Sequence, residues 1–565
     1  MATRYKRLSF LLSSIVVLGL LVVACAPAAQ PTPAPVKAVA TPTLKPVAAV
    51  TPAASPKNGG TLKFSMSDDP QGFDPHALTG MLCTANVSTF ASRLVSWPTG
   101  PGSYKKQDPL PSLAESWEMP NDTTYVFHLR KGVKWHNRPP VNGREFISDD
   151  VKWTFDRIKA SKWGFKGLYE SIASIETPDK YTVKFNMKDP YAPFMTLIGS
   201  PISVILAKEA GKPTDDGWGD FKMDSTAVGT GPWVVDRYEP SVKAVYKKNP
   251  DYFRKGLPYL DAIEWIVMKE EAARMSALRT GSIDIPYEGL YYYATGAEDA
   301  KELMKTASKL IWDKGPAFSQ ITLSLPSDKA PFSDIKVRRA ISMAIDRKAW
   351  INTIEQGEGE MAGTLIVILP DEYLLPIDQL GTGKKNFEYN LEEAKKLMGE
   401  AGYANGFETT LSPYPRMRYE QAADLLASQL AKLNIKATID KKEYGAFVST
   451  VWGGKYDGIG VNPWSTKEDP DFYLFTMFHS KGGNNWCRIN DTKLDSMIEE
   501  QRKTLDKQKR IKIIQDIQRY LAEQMYTIPA TYPIGYAFRQ PWVMNFGLVG
   551  SYTWGDAFEV TWLDK

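Results

Sequence analysis

A run of apolar residues that stops at a single cysteine, with proline close behind it, divides this chain before any fold is considered. Arg4, Lys6 and Arg7 precede a stretch from about Leu8 to Val23, interrupted only by small residues such as Ser13, Ser14 and Gly19. That stretch is short for a membrane span, which needs about 20 apolar residues. A basic flank, an apolar centre and small exit residues describe a secretory signal. Residues 26–57 then hold eight prolines, many alanines and no acidic residue. Such a composition cannot build a core, and proline at this density favours extended chain. The fold must therefore come from residues 58–565.

The exit sequence Val22-Val23-Ala24-Cys25 resembles a bacterial lipobox, in which lipid joins the cysteine sulfur and the chain is cut before it. On that reading residues 1–24 are a signal peptide, Cys25 carries lipid, and residues 25–57 tether an exported body to a membrane. The alternatives are an incidental cysteine and an uncleaved anchor helix.

The body is too long for one ordinary domain, so two or three compact units are expected. The chain's net charge of +4 falls to +1 once the three basic residues of the signal are removed. A nearly neutral body without a basic stripe excludes nucleic acid as a natural partner. Export would permit a disulfide between Cys83 and Cys487, but two separate buried thiols are the expectation.

Alternation marks the strands. "TLKF" opens one; "TYVFHL" puts Tyr125, Phe127 and Leu129 on one face, and "YTVKFNM" does so with Tyr181, Val183, Phe185 and Met187. "SDDVKWTFDRI" reads as a helix that Ser148 or Asp149 could cap. Val337, Ala340, Ile341, Ala344 and Ile345 share one face of another helix. "ADLLASQLAKLNIKATID" is a helix giving way to a strand, and "KLDSMIEEQ" and "RIKIIQDIQRYLAEQ" are two further helices. "YTIPATYPIGYAF" returns to strand. Mixed α and β units in two large blocks suggest lobes with a cleft, a favoured ligand site.

Chemistry is sparse. The four histidines have no metal-ligand spacing, and neither HExxH nor GxSxG occurs. His128 is expected to face solvent. "GTGPW" at 229–233 reads as a tight turn before a strand. "EDPD" at 468–471 clusters three carboxylates; a glycosidase using Glu468 or Asp469 would need a second carboxylate about 5–9.5 Å away across a cleft. No metal or cofactor is called for.

An exported, tethered, two-block chain without a catalytic constellation suggests a carrier. Its body resembles family 5 of the bacterial extracellular solute-binding proteins, the peptide/nickel class serving ABC importers. The resemblance rests on ordered segments that include "GGTLKFSMSDDPQGFDPH", "LPSLAESWEM", "TYVFHLRKGVKWHN", "GTGPWVV", "KKNPDYFRKGLPYLDAIEW", "PFSDIKVRRAISMAIDR", "EEAKKLMGEAGY" and "DPDFYLFTMF". It implies a mixed α/β, two-lobed periplasmic-binding-protein-like fold of the large type II, cluster C kind. Lobe I would hold residues 58–310, with an extra subdomain at about 95–228. Lobe II would hold 311–524, and 525–565 would return to lobe I. It further implies a monomer with no enzyme activity, whose partners are a small solute, the permease and its ATPase subunits. A sensor that presents ligand to a receptor is a third class.

Peptide-binding members hold the ligand's amino terminus with the aspartate of a W-x-x-D pattern. Here the pattern reads Trp464-Ser465-Thr466-Lys467. A lysine in that position repels an ammonium, unless a shifted alignment puts Glu468 or Asp469 in the role. Peptide is the nominal solute class; an oligosaccharide or glycoside is the runner-up, stacking on aromatics such as Trp97, Trp464, Trp486, Tyr291, Tyr292 and Tyr293. Thr79 and Gly80, in the loop after "GFDPH", correspond to the cleft-facing loop of lobe I. The expected ligand-binding set is therefore Trp464, Lys467, Asp469, Thr79, Gly80, Trp486, Tyr291 and Tyr293.

Overall fold

The computed structural model describes residues 55–69, 74–76, 81–103, 106, 108–161, 165–210, 227–287, 297–317, 319–366, 369–465, 468–547 and 554–565. The chain divides into two compact units, Met1–Ser55 and Pro56–Lys565, and the fold below is that of the second. The signal segment and Cys25 lie outside the described residues. Among those described, no helix is long and apolar enough to cross a membrane.

The "TLKF" segment opens strand Thr61–Met66. It pairs in parallel with Ala262–Val267, and Lys243–Lys248 and Trp233–Glu239 extend the sheet in antiparallel fashion. Leu62, Phe64 and Met66 are buried; the Phe64 ring meets Trp265 at 5.4 Å and Phe558 at 5.0 Å. Phe558 lies on helix Trp554–Glu559, so the end of the chain packs onto its first strand. A Cβ on Gly555 would stand 2.3 Å from the Ser88 carbonyl oxygen of helix Met81–Phe90, so only glycine fits where these helices meet.

A four-stranded antiparallel sheet runs in the order Ala114–Asn121, Thr124–Leu129, Thr182–Met187, Ile172–Asp179. Tyr125, Phe127, Leu129, Val183, Phe185 and Met187 are buried, as the alternation predicts, while Tyr181 sits half-buried just before its strand. His128, on the opposite face, is partly exposed beside Glu118. Helix Ser148–Ala160 covers the apolar face, with Phe155 edge-on to Phe185 at 5.2 Å. Neither Ser148 nor Asp149 caps this helix. The Ser148 hydroxyl donates to the Asp179 carbonyl at 2.7 Å, Asp149 accepts from Thr177, and Asp150 accepts the Ile147 amide at 3.1 Å. Arg144 and the Trp135 indole also donate to Asp150, which fixes its carboxylate in that place.

The "GTGPW" segment does lead into strand Trp233–Glu239, but its glycines answer to a distant contact as well as to a turn. A Cβ on Gly229 would stand 1.8 Å from the Phe90 carbonyl oxygen, and the Gly231 amide donates to that oxygen at 2.9 Å. Buried His136 ties the segment down. Its Nδ1 accepts the Gly229 amide at 3.2 Å, which assigns the proton to Nε2, facing the Gly231 carbonyl at 3.1 Å.

The second block centres on a five-stranded sheet in the order Lys436–Ile439, Glu408–Pro413, Ile459–Ser465, Ser319–Ser324, Thr527–Pro529. Helices Ile335–Ala344 and Met417–Leu430 bring Val337, Ala340, Ile341, Ala344, Leu426 and Leu430 into its core, as their spacing predicts. Strand Thr531–Arg539 then pairs with both Ile311–Pro316 and Gly359–Met361, carrying the chain back toward the first sheet. There the Trp542 indole donates to Asp284 Oδ1 at 2.6 Å, and the Lys63 amide donates to Asp284 Oδ2 at 2.8 Å. Cys83 and Cys487 are separate, free and buried, and burial pushes the Cys487 thiol up to about 12.

Candidate functional site

Two adjacent strands of the five-stranded sheet have unlike faces. Ile321 and Leu323 lie opposite Pro463 and Val461, and this face joins the apolar core. On the other face Gln320, Thr322 and Ser324 lie opposite Trp464, Asn462 and Gly460. Successive side chains of a strand alternate between faces, so this second face is a buried polar row. Asn462 donates to Ser324 Oγ at 2.7 Å and accepts from the Trp452 indole at 3.1 Å. Gln320 Nε2 donates to Thr322 Oγ1 at 3.1 Å.

Trp464 stands at the upper end of that row, 3% exposed. Its ring stacks on Tyr473 at 6.2 Å, with planes 9° apart, and meets Phe478 edge-on at 5.4 Å. Trp486 reaches the same row indirectly. It stacks on Trp452 at 5.2 Å, and Trp452 stacks on Tyr414 at 5.6 Å, so three rings form a ladder whose middle member bonds Asn462.

Two of the carboxylates after Trp464, Asp469 and Asp471, are held by protein partners. Asp469 opens the short helix Pro470–Tyr473 by accepting the Asp471 amide at 2.8 Å. Its two oxygens also take both terminal nitrogens of buried Arg510, one at 2.9 Å, a bidentate pair. The charge of Asp469 is thus matched by Arg510, which helix Lys507–Gln524 supplies. Asp471 is fully buried and accepts from Tyr191 Oη at 3.1 Å and from Gln501 Nε2, with Arg502 Nε 3.3 Å away. Burial raises the Asp471 pKa, and the Arg502 charge opposes that rise.

Tyr191 belongs to the first block and Gln501 and Arg502 to the second, so Asp471 sits in a seam between them. The Ala192 amide donates to the Arg502 carbonyl at 2.7 Å, and the Arg502 guanidinium lies 3.8 Å from the Phe475 ring centre. Within the first block, buried Asp74 of the "GFDPH" turn is held by buried Arg157 and accepts the His76 amide at 3.0 Å. Thr79 and Gly80, which follow that turn, lie outside the described residues, as do Lys467, Tyr291, Tyr292 and Tyr293. Trp97 belongs to the core: a Cβ on Gly199 would stand 2.3 Å from its ring.

Sequence reasoning missed Arg510, Arg502, Tyr191, Arg157 and Gln320. The sequence shows only that Gln320–Ser324 alternates polar and apolar, the pattern of a half-exposed strand; that every member is buried is visible in the structure alone. Among the described residues, no group of three or more His, Cys, Asp or Glu is placed to hold a metal ion.

Residues 108–485 match the family described as "Bacterial extracellular solute-binding proteins, family 5 Middle". The chain is 29% identical to di/tripeptide-binding protein 1 of Pseudomonas aeruginosa, over 86% of this chain and 91% of that protein. It is 30% identical to heme-binding protein A of Haemophilus influenzae, over 87% of this chain and 91% of that one. Among solved structures, the periplasmic binding protein DppA from Helicobacter pylori in complex with peptide STSA superposes with a TM-score of 0.77 and 25% identity. That match covers 90% of this chain and 99% of the other.

Proposed function

Because this chain belongs to family 5 of the bacterial extracellular solute-binding proteins, whose fold is mixed α/β and two-lobed, we propose that it is the peptide-capturing component of an ABC importer. It is held at the membrane by lipid on Cys25 and hands its solute to the permease. The observation that carries this reading is the seam at Asp471, where a hydroxyl from the first block and an amide from the second converge on one buried carboxylate. Such polar contacts can part and re-form, which a carrier that closes over its solute requires. The lobes divide near residue 310 and, on the return, after strand Thr527–Pro529, which still belongs to the second block's sheet, with 95–228 as the extra subdomain. Strand Thr531–Arg539 brings the chain back, and the tail packs on the first sheet.

The solute is proposed to contact Trp464, and Trp486, Thr79, Gly80, Tyr291 and Tyr293 complete the proposed ligand-binding set. Lys467 stands at the sequence position where peptide-binding relatives are expected to carry the aspartate that holds a ligand amine. With Asp469 occupied by Arg510, Glu468 is the carboxylate that takes that role. Peptide is favoured over sugar by the relatives, among them di/tripeptide-binding protein 1 of Pseudomonas aeruginosa. The test is calorimetry against unblocked di- to pentapeptides, with Trp464→Ala as control. Loss of a buried hot-spot ring costs 2 kcal/mol or more, about thirtyfold in affinity. Unchanged affinity in Trp464→Ala would remove the site from Trp464.

A further inference from the structure

Trp464 and Gln320 are direct cross-strand partners, and in an antiparallel pair such residues share a face with their Cβ atoms about 5 Å apart. Both are almost wholly buried, Gln320 at 1% and Trp464 at 3% exposure. Each leaves one polar atom without a hydrogen-bond partner among the described residues: the Trp464 indole Nε1 and the Gln320 amide Oε1. One is a donor and the other an acceptor. The rest of the row is satisfied, since Asn462, Ser324, Thr322 and Trp452 bond one another or Gln320. An unmet buried polar group is costly, and two of opposite kind side by side are doubly so unless an arriving molecule satisfies both.

We infer that Trp464 Nε1–H and Gln320 Oε1 together read the main chain of one residue of the bound peptide. In an extended chain a single residue turns its N–H and its C=O to the same side, as the hydrogen-bonded pairs of antiparallel strands do. The ligand carbonyl accepts from the indole, and the ligand N–H donates to the glutamine. Because both contacts are to main chain, the pair is blind to the ligand's side chain, so it selects for an amide backbone and not for a particular sequence. This inference rests on the peptide-binding reading and adds a residue, Gln320, and a recognised group to it.

The test uses the full-length chain. A pool of unblocked di- to pentapeptides is screened by thermal shift, and the tightest peptide is remade as a ladder in which each backbone N–H in turn becomes an ester oxygen. Gln320→Leu and Trp464→Phe remove the polar atom, the first together with the Nε2 donor to Thr322 and the second together with part of the packed ring. Each is expected to weaken the parent peptide about five- to tenfold, measured well below the melting temperature of the unliganded variant. One ester position is expected to weaken binding to the wild type and to make no further difference in Gln320→Leu. Equal binding of the parent peptide by wild type and both variants overturns the inference and leaves the peptide reading standing. An ester ladder whose every position costs Gln320→Leu as much as it costs the wild type assigns the residue to structure and overturns the inference as well. If no peptide in the pool shifts the wild type, the peptide reading falls and takes this inference with it.

Discussion

Arg510 shows how one side chain decides what its neighbours can do. It is buried, and Asp469 gives it both carboxylate oxygens, while its Nε donates to Gln501 at 3.1 Å. Removing one partner of a buried pair strands the other charge, so Arg510→Met is expected to cost about 3–5 kcal/mol in urea unfolding. Adding Asp469→Asn should recover much of that loss, and failure to do so would mean that the guanidinium matters for packing more than for charge. The ligand amine gives a second prediction. Glu468→Gln should weaken an unblocked peptide more than its N-acetylated form, and Lys467→Asp should strengthen the unblocked one by about 1–3 kcal/mol in calorimetry. The sequence placed carboxylates after Trp464 correctly but could not tell a ligand contact from an ion pair. Asp469 and Arg510 stand 41 positions apart, and only the packed helix joins them.

Strands and helices with a clean period were legible from the chain alone. Tyr125–Leu129 and Val183–Met187 alternate because one face is buried, and Val337–Ala344 repeats at helical spacing for the same reason. Boundaries fixed by tertiary partners were not. The cap of helix Ser148–Ala160 went to Asp150 because Arg144 and Trp135 reach it, and Gly229 is required by Phe90, far away in sequence. The knot at His136 yields a prediction of pH dependence. Burial lowers the His136 pKa from its ordinary 6.5 to about 4, with the Gly231 carbonyl opposing, so the unfolded chain takes up a proton first. Stability contributed by the neutral ring is complete above about pH 6.5 and declines as pH falls toward 4, by about 3 kcal/mol for this group. His76, also lowered by burial, adds a decline of the same sign. Urea midpoints measured across that range should fall, and His136→Gln should flatten the slope. A Gly229→Ala substitution should destabilise at every pH, because the added carbon meets a carbonyl oxygen and not a flexible side chain.

Across the whole molecule, composition suggests a leader and a tether ahead of the folded body, and the two-lobed α/β fold was legible in the order of its segments. The seam was not, since the Tyr191–Asp471 bond spans 280 positions. If lipid on Cys25 holds the carrier beside its permease, the local concentration of carrier rises without any new contact. Cys25→Ser should then move the protein out of the detergent phase or leave it as precursor, and unchanged lipid labelling would refute the anchor. The central claim is that the closed seam encloses a peptide against Trp464. Native mass spectrometry of the full-length chain, sprayed with an equimolar pool of unblocked di- to pentapeptides, tests it most directly. The account predicts one peptide retained per chain and its loss in Trp464→Ala. Wild-type chains that retain no peptide from the pool would contradict it.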